Sequence, residues 1–207
     1  MLRLLLRLAS ALPDTITAAI FLITWIAPQH IGIERIEDLT TLMLIEFFVV
    51  HSSGFYAGIL AMTQASRAKG VLALLGLAAV YAIFMLTFLL IVKNPWPVYA
   101  FLWLLASRFV HVLFAPADSD ATIQRAVHLW AISVAAYVLG ATATLLLPLP
   151  QLGVTPEVIG SLQLSSGGEW SARPYTVLAF GALYFAIQAW AKFALSAPAA
   201  RGVRAIT

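Results

Sequence analysis

Six apolar runs dominate the chain, at residues 15–27, 39–62, 71–92, 98–115, 126–147 and 175–195. About 20 residues rising 1.5 Å each cover the hydrocarbon core of a bilayer. Runs of that length must either be packed inside a large soluble core or cross a membrane. Composition decides between the two. The 207 residues are 62% hydrophobic and 10% charged, with a mean hydropathy of +0.94, whereas soluble domains carry about 25% charged residues. A soluble domain of this length has too little interior to hide so much apolar surface. The expected fold is therefore all-α: a polytopic membrane bundle of about six transmembrane helices, forming a single integral-membrane domain over residues 1–207.

The N-terminal stretch MLRLLLRLASALPD resembles a cleavable leader, but Arg7 interrupts its apolar run and leaves it too short for a leader's apolar stretch. Arg3 and Arg7, four apart, share one face while leucines cover the rest, so an interfacial helix is expected there. The basic residues then orient the spans. Arg3, Arg7, Arg67, Lys69, Arg125, Lys192, Arg201 and Arg204 fall on one side, and Arg35, Lys93 and Arg173 on the other. That asymmetry places both termini in the cytoplasm of a cell membrane of the bacterial inner-membrane kind.

The net charge of +3 comes from cations spaced singly at segment ends, which is a topology signal; no nucleic-acid partner is expected. The absence of cysteine excludes disulfides, thiolate metal sites and a cysteine nucleophile. The chain also carries no phosphate-binding loop, dinucleotide fingerprint, His-Glu-x-x-His or Gly-x-Ser-x-Gly, so catalysis is not the expected role.

Most connections are short. In KNPWP the prolines stop the third segment, and Trp96 suits the interface. The outer loop at 148–174 is longer. Thr155, Pro156 and Glu157 form a helix start and Ser165 to Gly168 a stop, which predicts one short outer helix. Trp170, Arg173 and Tyr175 would anchor the sixth span at the interface.

Ionisable groups within spans cost about 2.5–3.5 kcal/mol each on insertion scales, so they face protein or water. Four of them define the candidate ion or substrate pathway: Glu46, His51, Arg108 and His111. At 100° per residue Glu46 and His51 point about 140° apart. Gly54 and Gly58 lie on the His51 side as a small-xxx-small pair, which predicts a tight helix crossing that buries His51. Arg108 and His111 share a face of the fourth segment at depths near those of Glu46 and His51. A Glu46–Arg108 ion pair would compensate both charges, either as glue between two helices or as part of a pathway. Gly140 and Thr144 make a second close-packing pattern, and Gln188 in the sixth span needs a partner. Lys192 can snorkel to the interface.

The pattern fits a small transporter, channel or proton-conducting subunit built around that polar group. It also fits a non-catalytic accessory or scaffold subunit of a larger membrane complex. A third reading is a redox protein in which His51 and His111 clamp a b-type haem; no cofactor and no metal is the expectation. Partners are membrane lipid and either further copies of the chain or other membrane subunits.

Overall fold

The protein is described by a computed structural model that covers residues 2–92, 96–114, 120–162 and 168–195. Among these residues every regular element is helical: α1 (Leu2–Ile26), α2 (Arg35–Ala65), α3 (Arg67–Val92), α4 (Trp96–Phe114), α5 (Asp120–Leu146), α6 (Pro156–Ser161), α7 (Glu169–Ala172) and α8 (Pro174–Leu195), with a 3-10 turn at Pro28–His30. Five of them, α1, α2, α3, α5 and α8, are long and apolar enough to cross a membrane, and the chain is a helical membrane protein. Residues 93–95 of the KNPWP turn, Ala115 at the end of the fourth run, the stop at Ser165 and the basic residues Lys93, Arg201 and Arg204 lie outside the described residues.

The N-terminal stretch is not a separate element. It forms the first turns of α1, which passes without a break through Pro13. Proline removes one helical N–H, and the turns around it carry extra bonds from side chains. Thr15 Oγ1 donates to Ala11 O at 2.9 Å, and Thr17 Oγ1 to Pro13 O at 2.9 Å.

The described residues form two compact units. The first is built from the chain up to Leu44 and from Ile132 onward, the second from Ile45–Ala131. In the first unit α1 and α8 pack antiparallel, as their register shows. Phe21 stacks on Phe185 with ring centroids 5.6 Å apart and occupies the space a Cβ at Gly181 would need. Further toward the start of α1, Asp14 Oδ2 meets Lys192 Nζ at 2.6 Å. In lipid there is no hydrophobic drive to bring helices together, so such close packing and polar pairing supply the association energy. The other end of the pair is tied by the loop after α5. Trp25 Nε1 donates to Pro150 O at 3.0 Å, and Gly153 N donates to Trp25 O at 3.1 Å. A side chain at Gly153 would collide with Ile26 O and Pro28, which is why glycine stands there.

Several other polar groups of this unit find partners, while Arg7 Nε and Trp170 Nε1 are buried without a described hydrogen bond. Gln188 Nε2 donates to Ser133 Oγ at 2.6 Å, Tyr137 OH to Met43 O at 2.7 Å, and Thr144 Oγ1 back to Gly140 O at 2.9 Å. Phe180 rests over Gly140, so the Gly140/Thr144 face receives an aromatic ring. The loop after α5 holds two short helices where one was expected. Thr155 precedes α6 with Pro156 in its first turn, and the Thr155 hydroxyl bonds the Glu157 carboxylate, holding that carboxyl below its usual range. Arg173 pairs with Glu169 across α7.

In the second unit α2, α3 and α4 pack in an alternating order. Ile59, Leu74 and Val112 form one apolar cluster. Tyr81 and Met85 form another with Phe48, Val98 and Leu105. Moving back along α2 from 59 to 48 thus means moving forward along α3 from 74 to 85 and back along α4 from 112 to 98. α4 runs alongside α2 and against α3 over that length. Arg67 Nη1 closes the far end by donating to Leu113 O at 2.9 Å, a cation at the last turn of α4 where the helix dipole favours it.

Candidate functional site

The site lies within the second unit and centres on Arg108. The sequence of α2 there, HSSGFY, places two small hydroxyl side chains in successive positions. Both bond their own backbone: Ser52 Oγ to Val49 O at 3.0 Å and Ser53 Oγ to Val49 O at 2.7 Å. Their shortness leaves room for the long Arg108 side chain of α4. Arg108 Nη1 donates to Ser52 O at 3.0 Å and Nη2 to Ser53 Oγ at 3.0 Å. The guanidinium carbon lies 4.8 Å from the centre of the Tyr56 ring. Arg108 exposes only 8% of its surface and Ser52 1%.

An arginine remains protonated in proteins, so this is a buried positive charge. Its described partners are a carbonyl oxygen, a hydroxyl and a π face. Each is electron-rich, and none carries a full negative charge. Such partners lower the cost of the buried cation without neutralising it.

Glu46 is not among the described partners of Arg108, and it has an interaction of its own. What separates it from the described partners is level and not face. Ser53 shares the direction of Glu46 on α2 but lies two turns further on, roughly 10 Å along the axis, and the guanidinium is held at the Ser53 level. Glu46 itself is half-buried on α2.

The expectation of a buried His51 also fails. Its side chain is exposed, with Nδ1 3.0 Å from Phe47 O and the ring against Phe47 at 4.1 Å between centroids. The inward arc of α2 is formed by Ser52, Ala57 and Ile59, and the glycine pattern does not mark it. Gly54 receives one large ring: a Cβ there would lie 2.5 Å from Trp130 Nε1 and Cε2 of α5. Gly58 is exposed and has nothing within 4 Å of the corresponding point. His111 belongs to α4, but its side chain lies outside those described.

Sequence reasoning missed the Asp14–Lys192 pair and the seryl cradle of Arg108. The signal for the cradle was present, because Ser52 and Ser53 are adjacent hydroxyls in an apolar helix. Among the described residues no group of three or more His, Asp or Glu side chains is placed to hold a metal. Comparison with protein-family models, with curated proteins and with solved structures finds no match to this chain.

Proposed function

We propose that the protein is a small membrane transport or channel subunit whose second unit moves an anionic species past Arg108. The observation that carries this reading is the buried guanidinium with neutral partners. A charge within a span is costly enough that it is retained where it serves an ion or substrate path. With Ser52, Ser53 and Tyr56 beside it, Arg108 offers charge-assisted hydrogen bonds to a passing anion, and none of its described partners is a counter-ion that must first be displaced.

This reading includes six crossings with both termini cytoplasmic. The antiparallel register of α1 and α8 supports it, since an even number of crossings returns the last helix against the first. The extent of α4 supports it too, because α4 runs beside α2 and α3 over the same levels. The basic residues supply the orientation.

The test is flux into liposomes reconstituted with the full chain, driven by gradients of chloride, phosphate, acetate or protons. The native protein is expected to raise the flux of at least one of the three anions. Arg108→Gln should lower that flux at least roughly tenfold, the worth of a hydrogen bond to a charged group, and Arg108→Lys should retain part of it. Flux of every ion at the level of empty liposomes, or an undiminished Arg108→Gln, would refute the proposal and leave the accessory-subunit reading.

A further inference from the structure

The second unit also carries a groove that the Arg108 cluster does not use. It opens between α2 and α3, encloses about 630 Å³, and is walled by Phe47, Phe48, Phe55 and Phe84 with Gly76 beneath. Volumes of roughly 300–1,000 Å³ are those of small-molecule sites. Phe55, Val80 and Phe84 of its lining are exposed, so in a bilayer the groove is open to molecules dissolved among the acyl chains. Among the described residues two polar side chains line it, those of His51 and Tyr81.

The state of His51 narrows what can bind. Its Nδ1 stands 3.0 Å from the carbonyl oxygen of Phe47. A carbonyl oxygen only accepts, so Nδ1 carries the proton, and in the neutral ring Nε2 keeps its lone pair. The Phe47 ring at 4.1 Å and this hydrogen bond together fix the imidazole's orientation. An exposed acceptor in a hydrocarbon solvent has no water to satisfy it. The groove therefore asks for an apolar molecule that brings one hydrogen-bond donor, and its phenyl walls favour a flat ring in offset or edge-on contact.

We infer that the groove binds a membrane-dissolved hydroquinone, its ring between the phenylalanine side chains and one hydroxyl donating to His51 Nε2. A quinone has the ring without the donor, and a fatty alcohol has the donor without the ring. This assignment is independent of the anion path at Arg108.

Binding of a decyl-substituted hydroquinone to the full chain in detergent, followed by equilibrium dialysis, tests it against the dimethyl ether of the same molecule and against decanol. The hydroquinone should bind roughly tenfold more tightly than its ether, the worth of one hydrogen bond made away from water. That preference should vanish in His51→Phe and persist in part in His51→Gln. Gly76→Leu, which projects into the groove from a position with nothing within 4 Å of its Cβ, should weaken hydroquinone and ether alike and leaves the test usable if His51→Phe does not fold. Equal binding of hydroquinone and ether, a preference unchanged in His51→Phe, or a groove cross-linked to a second copy and closed to every probe would overturn the inference.

Discussion

The two units handle charge in opposite ways. In the first, Asp14 on α1 meets Lys192 on α8 at 2.6 Å, a carboxylate and an ammonium that cancel. In the second, Arg108 is as buried as Asp14, each exposing 8% of its surface, yet rests on a carbonyl, a hydroxyl and a ring. A cancelled pair has no remaining need and serves as a bond between helices. A charge whose described partners are all neutral is the kind that the proposed anion path requires. Burial alone does not distinguish glue from a site; the charge of the partners does.

The largest expected effect comes from breaking the cancelled pair. Lys192→Met leaves Asp14 buried beside a methyl, and a stability loss of about 3–5 kcal/mol is expected for an ion pair cut on one side. Asp14→Leu should cost less, because the Lys192 side chain is 38% exposed and can swing its ammonium toward the interface. Thermal unfolding in detergent measures both. If Asp14→Leu were the more damaging, the compensation would run the other way.

A middle-sized effect should separate the two glycines of α2. Gly54→Ala pushes a methyl into Trp130, and overpacking of that kind costs about 1–3 kcal/mol. Gly58→Ala meets nothing and should leave the melting temperature unchanged or raise it slightly. Equal effects would mean that Trp130 does not rest on Gly54.

The smallest effect on stability should come from Arg108, which makes the contrast between the units sharpest. In Arg108→Met the Ser53 hydroxyl keeps its bond to Val49 O, and Ser52 O still lies within its own helix, so neither is left without a partner. Replacing a buried ion by an apolar side chain of similar length is often neutral or stabilising, and a change within about 1 kcal/mol is expected. A loss as large as that of Lys192→Met would show Arg108 to be glue after all.

Five long apolar helices were legible because length and apolarity are local properties that the membrane itself selects. The pairing of α1 with α8 was not. Nothing in the sequence near Asp14 points to Lys192, and the first apolar run, taken from residue 15, leaves Asp14 just outside the span that contains it. The helical wheel puts Gly54 and Gly58 on the His51 side, but a glycine admits a neighbour without requiring one, and of the two only Gly54 has a described one. At Arg108 the residue was found and its partners were not. A search for opposite charge led to Glu46, whereas the guanidinium settled one and a half to two turns further along α2 on groups that carry none.

The union of α1 and α8 also has a consequence for how the chain is made. Synthesis runs from the N-terminus, so α1 enters the bilayer with its carboxylate long before the ammonium that answers it exists. Until α8 arrives, every intermediate carries an acidic group that must be protonated, held in water near the headgroups, or shielded by the insertion machinery. The first unit therefore cannot close until α8 has been made. Its assembly is a late event, and a nascent chain stopped before α8 displays to quality control an unanswered Asp14 and a Phe21 with no glycine to rest on.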